Sequence, residues 1–237
     1  MGVGRFMTTW VLLPVCGALA VQTASFGQVP QAPSPSQAPD PAFAAVADDP
    51  SLPRVLLIGD SISIGYTLPT RALLHGKANV HRIAMNGGPT INGLAHIDEW
   101  LGAGPWAVIH FNWGLHDLRF MEDGKHQVAV DAYEANLRTL VQRLRRTGAR
   151  LIWASTTPVP DAKVSPPRKS SDVLVYNAAA QRVMQEYGIP IDDLYAVALP
   201  RLGEIQRAAN VHFTEPGYGV LAEHVAASIR QELAASR

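Results

Sequence analysis

Val55-Leu56-Leu57-Ile58-Gly59-Asp60-Ser61-Ile62-Ser63 decides the reading of this chain. Four apolar, mostly branched residues run directly into Gly-Asp-Ser. That pattern predicts a strand buried on both faces, a tight turn, and the start of a helix. Ser61 falls at the turn, where a helix N-terminus favours negative charge developing beside a nucleophile. The competing reading is that Asp60 or Ser61 only caps the helix.

Outward from this stretch, strands and helices alternate. A helical pattern covers Ser63 to His75, with Pro69 expected to break or kink it. Val80 to Met85 reads as a second strand ending in Asn86-Gly87-Gly88-Pro89-Thr90, and a helix follows from Ile91 to Leu101. Trp106 to Asn112 is a third strand that ends in Trp113-Gly114-Leu115-His116-Asp117. Apolar residues at helical spacing fill Val128 to Arg146, before a fourth strand from Ala149 to Ser155. Thr156 to Ser170 reads as a proline-rich, basic connection, either solvated or a lid over a site. A helix from Asp172 to Tyr187, a short fifth strand from Ile189 to Asp192 and a last helix to Ala235 complete the pattern. Such alternation implies right-handed crossovers and a five-stranded parallel sheet between two helical layers, an α/β fold. Ligands of these sheets bind at the carboxyl ends of the strands, so the four polar or glycine-rich turns are expected on one rim.

The chain has 237 residues, 47% of them apolar, with 20 basic and 20 acidic side chains. Balanced charge argues against nucleic acid as a partner. Residues 1–25 have the form of an export signal: Arg5, an apolar run from Trp10 to Val21, then Ala18-Leu19-Ala20 or Thr23-Ala24-Ser25 as cleavage sites. The run is short for a bilayer span, so an exported protein, periplasmic or extracellular, without a stable membrane span is expected. Cys16, the sole cysteine, falls in this signal and is a weak lipidation site. Residues 26–53 are rich in Pro, Ala, Gln and Ser and read as a disordered linker, leaving 54–235 as the one folded domain.

Gly59-Asp60-Ser61, Asn86-Gly87-Gly88, Gly114-Leu115-His116-Asp117 and His212-Phe213-Thr214 with Gly217-Tyr218 together resemble the sequence blocks of the SGNH, or GDSL, hydrolases. The resemblance covers Arg54 to Leu233 and implies a flavodoxin-like sheet and a serine ester hydrolase without a cofactor. It implies Ser61 as nucleophile, His212 as general base, and an oxyanion hole from the Ser61 and Gly88 amides. Two positions depart from the pattern. His116 stands where the family has asparagine, and an imidazole N–H can serve as the donor instead. Ala209 stands where the family's Asp-x-x-His block has its acid. Asn210 is then the nearest side chain able to orient His212, with Asp192, Asp193 and Glu215 as possible substitutes.

Asp60 and Asp117 read as structural residues that satisfy backbone N–H groups. Trp113 reads either as a platform for a sugar face or as core. His75, His81, His96, His110, His126 and His224 lack metal-ligand spacing. The expected activity is hydrolysis of a small acyl ester, acetyl above all, of a small molecule or glycan. The alternatives are a non-catalytic module of the same fold that binds a carbohydrate or other ligand, and a metal-dependent phosphoesterase. The oligomeric state is not encoded in these features.

Overall fold

The computed structural model describes residues 1–4 and 40–235. The expected signal peptide, with Cys16 and its cleavage sites, lies outside the described residues apart from Met1 to Gly4. So does the linker as far as residue 39.

Five strands form one parallel sheet: β1 Arg54–Ile58, β2 Asn79–Arg82, β3 Val108–Phe111, β4 Arg150–Ala154 and β5 Ile191–Asp192. Their order is β2-β1-β3-β4-β5. The sheet core is dry because β1 and β3 are apolar along nearly their whole length: Val55, Leu57, Ile58, Val108, Ile109 and Phe111 have no exposed surface. Residues on both faces of these strands are buried, which suits a sheet covered by helices on each side. The α/β class, the strand number and the one-rim placement of the turns match the sequence expectation.

The helices are α1 Ser61–Leu73, α2 Thr90–Leu101, α3 Val130–Arg145, α4 Ser170–Tyr187, α5 Leu194–Ala198, α6 Leu202–Ile205 and α7 Glu215–Ala234. Helix α1 packs on α7, while α2, α3 and α4 pack in sequence as a second layer. Strand order reverses between β1 and β3, whose register pairs Ile58 with Phe111. The crevice at that switch point is where this topology places a ligand.

Three expectations need correction. Pro69 lies inside α1 without ending it. The missing Pro69 N–H leaves the Gly65 carbonyl without its helical donor, but the helix is held by its packing on α7. A Cβ at Gly65 would come within 2.2 Å of the Tyr218 ring. Residues 40–53, assigned by composition to the disordered linker, are ordered against the domain. Pro41–Phe43 form a 3-10 turn with Ala42 buried. The Asn79 side chain accepts from the Asp49 amide at 3.0 Å and donates to the Asp49 and Leu52 carbonyls at 2.8 and 3.1 Å. Asp48 bridges Arg54 at 2.9 Å and His81 at 2.6 Å. Composition averages over a window and cannot register a few specific partners of this kind. Finally, the 156–170 connection is not merely solvated. Thr156, Thr157, Val159 and Val164 are buried, and Pro167 accepts a hydrogen bond from the Phe120 amide at 2.9 Å.

Candidate active site

Loop β1–α1 carries Ser61. Asp60 is the N-cap of α1, its carboxylate accepting from the Ile62 amide at 2.9 Å. Ser61 is the first residue of the helix, so its N–H has no intrahelical acceptor and its hydroxyl lies at the positive end of the helix dipole.

His212 reaches Ser61 from a turn that periodicity does not reveal. Gln206 and Phe213 form an antiparallel bridge, and the Arg207 amide donates to the His212 carbonyl at 2.9 Å. Gln206 Nε2 ties this turn to the Pro158 carbonyl at 2.8 Å. Thr214 then caps α7, accepting from the Gly217 amide at 3.2 Å. His212 Nε2 stands 2.9 Å from Ser61 Oγ.

The tautomer follows from Asn210. Its Oδ1 accepts the His212 backbone N–H at 2.9 Å and also lies 2.8 Å from His212 Nδ1. An oxygen facing Nδ1 requires Nδ1 to carry the proton, which leaves the Nε2 lone pair pointing at the serine hydroxyl. Partial burial lowers the His212 pKa below the ordinary histidine value. Asp60 opposes the shift, and Arg207 and Arg168 reinforce it. The imidazole is therefore neutral at neutral pH and able to accept a proton.

Among the described residues, no carboxylate hydrogen-bonds His212. Asp192 is buried and held by His110 Nε2 at 3.0 Å and the Ser228 hydroxyl at 3.2 Å. Asp193 caps α5 and accepts from Ser155 Oγ at 2.8 Å. Glu215 is exposed in the first turn of α7. Ala209, at the position of the family's acid, is exposed and takes a left-handed φ of 49°. Contact with Nδ1 is made one residue later, by an amide.

Opposite Ser61 lies loop β2–α2. Gly87 donates to the Gly59 carbonyl at 3.0 Å, and a Cβ at Gly87 would sit 2.9 Å from that oxygen. Glycine is what permits the two loops to touch. Gly88 has φ 58°, and its amide donates to Asn86 Oδ1 at 2.9 Å. That Asx-type turn was legible as asparagine two residues before a glycine, but its engagement of the Gly88 amide was not foreseen. His116, on the third loop, is partly buried and makes no side-chain hydrogen bond among the described residues. Burial lowers its pKa; Asp60 opposes this, and Arg168, Arg119 and His212 add to it.

Asp117 is fully buried and accepts from the Thr90 amide at 2.9 Å and from the Thr90 hydroxyl, which fastens the third loop to the start of α2. Burial pushes its carboxyl up to about 6. Trp113 is wholly buried, with its indole where a Cβ at Gly93 would come within 2.8 Å. It is core and offers no face to a sugar. Among the described residues, no three histidine, cysteine or carboxylate side chains lie close enough to share a metal ion.

A family model described as the GDSL-like lipase/acylhydrolase family matches residues 57–220, which contain both Ser61 and His212. The chain belongs to that family. Membership makes this protein an ester hydrolase of the SGNH type. Solved structures show the same fold at low sequence identity. An acetyl xylan esterase is 14% identical, with a TM-score of 0.62 over 74% of this chain and 99% of that one. A lipase/acylhydrolase from Enterococcus faecalis is 22% identical, with a TM-score of 0.63 over 76% and 96%. An acetylxylan esterase from Geobacillus stearothermophilus is 20% identical, with a TM-score of 0.61 over 75% and 94%. A comparison with curated protein sequences finds no match.

Proposed function

We propose that this acylhydrolase is an exported serine esterase that removes small acyl groups, acetyl above all, from a small-molecule or glycan ester through Ser61 and His212. The observation that carries the mechanism is the continuous line from Ser61 Oγ to His212 Nε2 at 2.9 Å and from Nδ1 to Asn210 Oδ1 at 2.8 Å. A serine hydroxyl is a weak nucleophile at neutral pH. Transfer of its proton to Nε2 as Oγ attacks the carbonyl carbon overcomes that. The tetrahedral intermediate places a full negative charge on the former carbonyl oxygen. The Ser61 amide, the Gly88 amide shared with Asn86, and the neutral His116 N–H are its donors, each worth on the order of 2.7–4 kcal/mol of barrier where such donors have been removed. His212 then gives its proton to the departing alkoxide. Water, deprotonated by the same nitrogen, attacks the acyl-serine and releases the acid with Ser61 restored.

A small acyl group is supported by two of the solved structures that share the fold, which are acetylxylan esterases by name. Export is supported by the signal-like residues 1–25.

Hydrolysis of 4-nitrophenyl acetate and 4-nitrophenyl butyrate by wild type, Ser61→Ala and His212→Ala tests the proposal. Turnover of the acetate in preference to the butyrate, lost by several orders of magnitude in both variants, is the expected result. Equal rates for folded wild type and Ser61→Ala would refute the mechanism.

A further inference from the structure

We infer that the natural ester carries an anionic group, held at the mouth of the site by Arg168 together with Arg119 and Arg207; this rests on the ester-hydrolase reading of Ser61 and His212. The three arginines come from three separate loops, and each is tied to backbone next to one of the two site histidines. Arg168 Nε donates to the Leu115 carbonyl at 2.7 Å, one residue before His116, and its Nη1 donates to the Pro166 carbonyl at 3.0 Å. Arg207 Nε donates to the Phe213 carbonyl at 3.0 Å, one residue after His212. Arg119 donates its amide to the His116 carbonyl at 3.4 Å, and its buried Nε has no partner.

Carbonyls orient a guanidinium but do not neutralise it. Arg54, Arg138, Arg143, Arg150, Arg182 and Arg201 each bridge a carboxylate, whereas among the described residues Arg71 and Arg82 are held by backbone carbonyls and Arg145, Arg146 and Arg230 bridge no acid. Among the described residues, Arg119, Arg168 and Arg207 bridge none. The acids nearby are otherwise engaged or peripheral. Asp60 is buried as the cap of α1, Asp161 accepts from the Ser170 hydroxyl, and Glu122 lies with Arg119 along an outer groove. At both histidines burial is the main cause of the lowered pKa and Asp60 opposes it; Arg168 and Arg119 add to the lowering at His116, and Arg207 and Arg168 add to it at His212, which places these charges within reach of the site.

Arg168 retains its Nη2 donors, and Arg119 its Nη1 and Nη2 donors. Such N–H groups on a fixed cation recognise a planar carboxylate or a phosphate or sulfate oxygen pair. The occupant is thus an ester with such a group on its alcohol half, close to the scissile bond.

The test compares 4-acetoxybenzoate and 4-acetoxyphenyl phosphate with the neutral methyl 4-acetoxybenzoate. Each kcat/KM is divided by the rate of the same ester with free imidazole, which removes intrinsic reactivity. The expected result at low ionic strength is a preference of about tenfold or more for an anionic ester. The ratio should fall toward one in about 0.5 M salt and several-fold in Arg168→Gln, but not in Arg182→Gln, whose guanidinium is paired with Glu134. Carboxylate and phosphate arms separate the two anion types. Hydrolysis of the neutral ester with no preference for either anion overturns this inference and leaves the esterase reading standing. If no ester is hydrolysed, the esterase reading falls. Calorimetric binding of 4-hydroxybenzoate against its methyl ester then decides the anion site alone, tighter binding of the anion supporting it and equal binding overturning it.

Discussion

Replacing Asn210 with aspartate changes one amide nitrogen for an oxygen and supplies the acid that this triad lacks. With Asn210 Oδ1 2.8 Å from His212 Nδ1, the centres of a carboxylate and an imidazolium there are about 4 Å apart. At an effective dielectric of about 20 their attraction is about 4 kcal/mol. Both side chains are only partly buried, so solvent and salt reduce this to about 1–2 kcal/mol. The imidazolium forms only as Ser61 attacks, so the gain is realised in the transition state. The Asn210→Asp enzyme should therefore show kcat/KM on a 4-nitrophenyl ester raised about tenfold at its plateau. Its acid limb should also move to higher pH, because a neighbouring negative charge favours the protonated ring. Wild type, whose His212 pKa is lowered by burial, should keep its activity to below the ordinary histidine value. Asn210→Ala loses both hydrogen bonds to His212 and should fall about tenfold or more. A pH–rate profile for all three enzymes, beside thermal midpoints to show that they are folded, reads each effect separately. An Asn210→Asp profile that superimposes on wild type in both plateau and acid limb would refute the assignment of Asn210 to His212.

Three further outcomes follow from the packing. Asp117, buried with its carboxyl at about 6 against an unfolded value of about 3.9, binds more protons folded than unfolded between those values. Stability should fall as pH rises through that window, by about 3 kcal/mol at most, and Asp117→Asn should flatten the dependence in urea titrations at pH 4 and pH 8. Gly65→Ala drives a methyl into the Tyr218 ring and should cost about 1–3 kcal/mol in the same assay. Gly87→Ala meets the Gly59 carbonyl at 2.9 Å; because backbone must shift beside Ser61, kcat/KM should drop more than stability does, as paired kinetic and denaturation measurements would show.

The sheet was legible because its signal is local. Runs such as Val55 to Ile58 end in turn residues that no buried strand accommodates, and helices of regular period separate them. The site was legible only through order. Ser61 and His212 lie 151 residues apart, and no periodicity joins them; four short blocks in sequence did. What stayed hidden depends on contacts between distant loops. Trp113 beneath Gly93 is set by how α2 approaches β3, and a large side chain beside a polar motif reads as exposed or buried with equal ease. Residues 40–53 were misread because proline and alanine content outweighed the specific anchors at Ala42, Asp48 and Asp49. The three arginines at 119, 168 and 207 carry no pattern in one dimension.

Those arginines also bear on why an amide can stand where the family has an acid. A carboxylate beside His212 would stabilise the imidazolium, one of the two charges that develop as Ser61 attacks. The other charge is the oxyanion. Positive charge from Arg207 and Arg168 adds to burial in disfavouring the imidazolium, with Asp60 opposing both, but it favours the oxyanion and any anionic substrate in the same field. Asn210 orients the ring and fixes its tautomer without adding a negative charge that would cancel part of that field. The opposing changes Asn210→Asp and Arg168→Gln should therefore not act independently. In a double-mutant cycle on an anionic ester, the carboxylate should lose part of its benefit by repelling the substrate that Arg168 holds, and it should keep that benefit on a neutral one. Equal effects of Asn210→Asp on both esters would separate the two charges and leave the arginines without a part in the chemistry.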